Sequence, residues 1–168
     1  LTIADTDPEC GLITIVYLVV GKSSAVLESL NEGDDILDVC GPLGHATDIR
    51  KVGTVICVGG GTGIAAMHHI AKGHHLAGNR VVGIIGARSK DLLLFEKELK
   101  AFADEVLIAT DDGSYGRKGF VTTLLKERLE EDKNVAEVVA VGPVPMMAAV
   151  ADVTRPFGVK TTVSLNPI

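Results

Sequence analysis

The chain has 168 residues, 46% of them hydrophobic and 23% charged, with a formal net charge of −6 at pH 7. That length can bury a substantial core in one domain or one and a half. An acidic balance with no tryptophan, two tyrosines and four phenylalanines supplies neither the basic footprint nor the stacking surface of a nucleic-acid binder, and it offers an anionic membrane no attraction.

Residues 1–50 do not read as a domain by themselves. The β-branched run Leu12 to Val20 predicts a strand covered on both faces; interrupted by Thr14, it is too short to span a bilayer. Gly21-Lys22-Ser23-Ser24 opens a short helix over Ala25 to Leu30, with Ser23 or Ser24 as its N-cap. Asn31-Glu32-Gly33-Asp34 is a turn, Ile36 to Cys40 a second strand, and Gly41-Pro42-Leu43-Gly44 stops it. Two strands and a helix cannot bury their own faces, so most of a β-domain is expected upstream and the chain is expected to be part of a longer polypeptide.

From Lys51 the pattern becomes strict strand–helix alternation. Strands are predicted at 54–58, 81–85, 105–109, 137–141 and 159–164, and helices at 63–76, 90–102, 119–131 and 144–154. Leu92, Phe95, Leu99 and Phe102 set a helical stripe in the second helix; Val121, Leu124, Leu125, Arg128 and Leu129 set one in the third. Near-continuous apolar strands between helices predict an α/β fold. The expectation is a five-stranded parallel doubly wound sheet of order 3-2-1-4-5, with its reversal point beside the first strand.

That first strand, Thr54 to Val58, runs into Gly59-Gly60-Gly61-Thr62-Gly63 and then a helix. Glycines let the backbone turn sharply and let a pyrophosphate approach the main chain, while a helix start offers N–H groups and a positive dipole end. Gly61, Gly63 and Ala66 satisfy G-x-G-x-x-A, although Gly59 with Gly61 meets Ile64 at the third position. The other strands end in Gly86-Ala87-Arg88-Ser89, in Thr110-Asp111-Asp112-Gly113-Ser114-Tyr115-Gly116, and in Gly142-Pro143-Val144-Pro145-Met146. All four turns fall at the carboxyl end of the sheet, where open parallel sheets hold their ligands. Arg88 favours the 2′-phosphate of NADP, whereas Asp111 and Asp112 favour the ribose hydroxyls of NAD; the aspartates can also be simple turn-makers.

His68, His69, His74 and His75 read as a solvated helix end, because adjacent helical residues point about 100° apart and no carboxylate or thiol accompanies them. Cys10, Cys40 and Cys57 form neither a disulfide framework nor a metal pattern, and Cys40 and Cys57 read as small core residues. A reducing cytoplasm is the expected location.

These motifs, in this order and over nearly the whole chain, resemble the ferredoxin–NADP reductase-like flavoproteins. Within them the pattern is similar to the small subunits of NADH-dependent ferredoxin:NADP oxidoreductases, also called sulfide dehydrogenase β subunits. The dihydroorotate dehydrogenase electron-transfer subunits are relatives. The resemblance implies that residues 1–50 are the last part of an FAD-binding β-barrel and that 51–168 form an NAD(P)-binding domain. Ser23, Ser24, Gly41, Pro42 and Leu43 would meet the FAD pyrophosphate. Gly60, Gly61, Thr62, Gly63, Ala87, Arg88, Asp111, Asp112 and Gly113 would hold NAD(H) or NADP(H), while Gly142, Pro143 and Met146 would place the nicotinamide. The family often carries a cysteine before Gly-Pro where Val141 stands. Its two-iron–two-sulfur segment would lie beyond Ile168, so no metal ligand is expected here. The resemblance names no catalytic side chain and implies as partners a larger flavin and iron–sulfur subunit and ferredoxin or a similar carrier. The alternatives are a dihydroorotate dehydrogenase electron-transfer subunit and a non-catalytic module that senses NAD(H). The aspartates are expected to outweigh Arg88, giving NAD(H) over NADP(H), and the chain alone is expected to be inactive.

Overall fold

The structure, a computed structural model, describes residues 2–41 and 43–165. The elements in order are β1 (Thr2–Asp7), β2 (Leu12–Val16), α1 (Lys22–Glu28), β3 (Thr54–Gly60), α2 (Gly63–Leu76), β4 (Arg80–Ala87), α3 (Glu96–Lys100), β5 (Glu105–Thr110), β6 (Arg117–Lys118), α4 (Val121–Glu131), β7 (Val135–Val141), α5 (Val144–Thr154) and β8 (Lys160–Val163). β1 and β2 form an antiparallel hairpin, and the other six strands form one parallel sheet of order β6-β5-β4-β3-β7-β8.

Residue parity along the strands sorts the core. Val55 and Cys57 of β3 face one side with Ile64, Met67 and Ala71 of α2 and Leu99 of α3. Ile56 and Val58 face the other with Val121, Leu124, Leu125 and Leu129 of α4 and Met147 and Val150 of α5. A strand covered on both faces needs apolar residues at every position, which is why these strands lack polar alternation.

The sheet has six strands where the sequence predicts five. The five longer ones stand in the order 3-2-1-4-5, and β6 extends the edge beyond β5 through Ala109↔Arg117 and Thr110↔Lys118. No apolar run marks β6. It forms because Gly116, at φ +65, turns the chain under the Ile108 carbonyl, where a β-carbon would collide.

The predicted helix over 90–102 is broken. Lys90–Leu92 is a single 3-10 turn, and α3 begins only at Glu96, after Phe95 in the left-handed region at φ 56. Leu93, Leu94, Phe95 and Phe102 all pack on the α2-side core, which the single face of one continuous helix would not allow.

The first fifty residues depart most from expectation. β1 was not predicted, and β2 ends at Val16 with Leu12 and Ile13 more than half exposed, so the covered strand Leu12–Val20 is not what forms. α1 starts at Lys22 with Gly21 as N-cap; Ser24 sits at its third position. Ile36–Cys40 forms no strand, and Cys40 is exposed rather than a core residue. A strand exists only where a partner backbone takes its hydrogen bonds, and an apolar run cannot supply one alone.

The hairpin is nonetheless seated. Ala4 bulges out of the β1–β2 register and is fully buried, and its carbonyl lies 2.8 Å from Nδ1 of His68 on α2. Lys72 Nζ meets Asp5 at 2.6 Å. Asn79 ties the connecting segment down: its Oδ1 accepts from the N–H groups of Val52 and Gly53, and its Nδ2 donates to the Arg50 and His74 carbonyls. The histidine reading is corrected accordingly. His68 and His74 are buried, His68 stacked on Phe95 with ring centroids 4.8 Å apart, His69 is half-buried, and of these four only His75 is exposed.

Candidate functional site

The carboxyl end of β3 meets that of β7 without room for side chains. A β-carbon on Gly63 would lie 2.5 Å from the Val141 carbonyl and 2.6 Å from Gly142 Cα; one on Gly142 would lie 3.1 Å from Gly60 O. Met146, in the first turn of α5, fills the space beside Gly60, and Pro143 starts that helix. Of the predicted residues, Gly60 and Gly63 from the β3 turn thus pack against Gly142, Pro143 and Met146 from the β7 turn, while exposed Thr62 faces a cleft. Gly61 differs from its neighbours. It turns at φ +54 with nothing within 4 Å of a β-carbon, so the loop presents bare backbone at the head of α2.

A second unit joins the ends of β4 and β5. The Gly61 N–H donates to Gly86 O, the Asp111 N–H to Ala87 O and the Asp112 N–H to Arg88 O, all at 3.0–3.1 Å. The predicted Ala87, Arg88, Asp111, Asp112 and Gly113 are therefore adjacent, and Arg88, Asp111 and Asp112 are exposed. Asp112 Oδ1 accepts from the Ser114 N–H at 2.8 Å and from its hydroxyl at 2.6 Å, contacts that hold its carboxyl below the usual carboxylate range. Buried Thr110 closes the loop: its hydroxyl donates to Tyr115 O and accepts from Tyr115 N–H.

Across from Thr62, a cleft of about 400 Å³ is lined by Tyr17, Leu18, Val20, Lys22, Ser23 and Ser24 among others. This brings predicted Ser23 and Ser24 to the glycine turn. The Ser24 hydroxyl serves its own turn, donating to Gly21 O and accepting from the N–H groups of Val20 and Gly21. Gly41 and Leu43 are exposed and line neither this cleft nor the sheet ends; Pro42 lies outside the described residues. Tyr17 and Lys22 were missed as site candidates. Lys22 carried a readable signal, a cation between Gly21 and two serines at a helix start, whereas Tyr17 looked like strand interior.

Among the described residues no cluster of three or more histidine, cysteine, aspartate or glutamate side chains could hold a metal, and no helix is long and apolar enough to cross a membrane. Burial pushes the Cys57 thiol up to about 12, which removes it as a nucleophile near neutral pH.

The chain is 48% identical over its full length to a Thermotoga maritima protein named as a dihydroorotate dehydrogenase B (NAD+) electron transfer subunit homolog, covering 59% of that protein. It is 36% identical, over 90% of the chain and 60% of the relative, to the Fusobacterium nucleatum dihydroorotate dehydrogenase B electron transfer subunit. The solved structure of an NADH-dependent reduced ferredoxin-NADP oxidoreductase, described for flavin-based electron bifurcation, superimposes with a TM-score of 0.87 at 46% identity, over 99% of this chain and 60% of that one. The chain therefore spans about three-fifths of the length of these relatives. Residues 57–152 match the oxidoreductase NAD-binding domain, and the chain belongs to that family.

Proposed function

We propose that this chain is the nucleotide-binding part of an electron-transfer flavoprotein subunit that passes hydride between NAD(H) and FAD. One observation carries the reading. At the reversal point of the sheet, Gly60, Gly63 and Gly142 press two loops together without room for a β-carbon, while Gly61 faces open space beside a cleft lined by Thr62, Ser23 and Lys22. A crevice of that kind suits a pyrophosphate on the α2 head and a second ligand across the cleft.

The residues fit both cofactors. Gly61, Thr62 and Gly63 would take the dinucleotide pyrophosphate, Asp111 and Asp112 the adenosine ribose, and Gly142, Pro143 and Met146 would limit where the nicotinamide lies. Lys22 and Ser23 would meet the FAD phosphates. Nicotinamide and flavin together supply the hydride chemistry, so the chain's task is placement, and no side-chain acid or base is assigned. NAD(H) is favoured over NADP(H), because an ionised Asp112 beside a 2′-phosphate is a like-charge contact. The names of the relatives support an electron-transfer role; the proposed partners are a larger flavin and iron–sulfur subunit and ferredoxin or a similar carrier.

Anaerobic addition of NADH to the protein extended to the length of its relatives and loaded with FAD tests the reading. Loss of the flavin's visible absorbance is expected. Flavin that stays oxidised with NADH, while NADH binding is still measurable, would leave the NAD(H)-sensing alternative instead.

A further inference from the structure

We infer that Tyr115 and Glu96 form a clasp that positions the Asp111–Ser114 loop for the adenosine half of the dinucleotide. The inference rests on the nucleotide reading above and adds two residues that touch no proposed ligand.

The Tyr115 hydroxyl donates to Glu96 Oε1 at 2.8 Å. This joins the loop after β5 to the first residue of α3, adding a polar link to the packing of Leu99 on the same core as Val106 and Ile108. Glu96 is fastened in turn: Lys100 Nζ reaches the same oxygen at 2.6 Å, and the carboxyl lies below its ordinary range because of that contact first. On the loop side, Thr110 grips both backbone atoms of Tyr115, and Lys90 Nζ lies 5.0 Å above the tyrosine ring. The Lys90 N–H donates to Ser114 Oγ, which donates to Asp112. Two hydrogen-bonded series therefore hold the loop, Glu96–Tyr115–Thr110 and Lys90–Ser114–Asp112, and the Lys90 ammonium over the Tyr115 ring links them.

A tyrosine bonded to a surface glutamate is ordinarily decoration. Two features set this pair apart. Both side chains are only partly exposed, and Glu96 follows Phe95, the one non-glycine residue with positive φ among those described. Such a conformation persists only where the surroundings over-determine it. Here they do: the Phe95 ring stacks on buried His68, whose Nδ1 meets the Ala4 carbonyl. Glu96 is thus placed by the core, and through Tyr115 it places a loop that is otherwise exposed along 111–114. A loop held before the ligand arrives loses less entropy on binding, which is the gain the clasp provides.

Calorimetric titration of the full chain with NADH, and separately with ADP-ribose, tests the clasp. Tyr115→Phe keeps the ring and loses the donor; a lost hydrogen bond of this kind should weaken both ligands by the same factor, about threefold to tenfold. Glu96→Ala should match it, and the double variant should be no weaker than either single one. Glu96→Gln keeps an acceptor oxygen for the tyrosine, gives up the pairing with Lys100 and should restore affinity. Faster hydrogen exchange at the Ser114 and Tyr115 amides should accompany the weakened variants. If unsubstituted protein binds neither ligand, the nucleotide reading fails and takes the clasp with it. If it binds both and Tyr115→Phe binds them equally well, or if Glu96→Gln is as weak as Glu96→Ala, the clasp alone is overturned.

Discussion

The Met146 side chain stands where a β-carbon on Gly60 would have to go, with its sulfur inside contact distance of that position. The relationship couples the turn after β3 to the first turn of α5. Each supplies what the other lacks: bare backbone from the glycine, a flexible thioether to fill the gap.

Substitutions in the β3 turn should therefore separate by what they strike. In Gly63→Ala the new carbon meets the backbone of Val141 and Gly142 at 2.5–2.7 Å, which cannot move aside as a side chain can. A loss of about 1–3 kcal/mol in urea unfolding is expected. Gly61→Ala meets nothing but must hold φ +54, so about 1 kcal/mol is expected. NADH affinity should nonetheless fall more for Gly61→Ala than this small stability loss suggests, since its open face is the one toward ligand. Equal stability losses in the two variants would show the turn packs differently.

Cofactor preference should depend on Asp112, an exposed carboxylate whose ionised form Ser114 favours further by donating to it twice. Asp112→Ser should narrow the NADH over NADPH preference by roughly tenfold, the scale of a partly screened like-charge contact. Titration with both nucleotides reads this directly. A ratio that does not move would return the choice to Arg88.

Stability should decline on mild acidification through His74. Burial holds its pKa below 6.5, Glu137 opposes that shift and Lys160 adds to it, and its Nε2 has no partner among the described residues. As pH falls below 6.5 the unfolded chain takes up the proton first, so this contribution is complete above that pH and is lost down to the folded value. The slope is at most about 1.4 kcal/mol per pH unit for one such group. His69 adds a change of the same sign. Denaturant midpoints measured from pH 7.5 to 5 (roughly the span over which histidine titrates) should fall less steeply in His74→Gln; identical slopes would clear His74 of the effect.

The isolated chain should self-associate through its hairpin. Leu12 is 62% exposed, Ile13 57% and Val20 86%, and among the described residues β2 pairs only with β1. Sedimentation velocity should show dimers or larger species that Leu12→Lys with Ile13→Lys disperses. A concentrated preparation that sediments as a clean monomer would count against this.

The parallel-sheet half was legible in the residue pattern. Continuous apolar strands between amphipathic helices allow one burial solution, and the glycines at the strand ends fall on one side of any parallel sheet. Gly60 to Gly63, Arg88, Asp112 and Gly142 could thus be read as neighbours before any contact was known, and α2 and α5 form over the expected residues. The remaining features were not legible there, because they depend on partners distant in the chain. Ile36 to Cys40 has a strand's composition but no backbone to pair with, and the break at Phe95 answers to the ring of His68. His68 and His74 look solvated by composition and are buried by the hairpin and the sheet around α2. The bond between Tyr115 and Glu96 joins the loop after β5 to the first residue of α3, a pairing that no periodic pattern announces. Local propensity and periodicity record which face a residue turns inward; what waits on that face is settled by the rest of the fold.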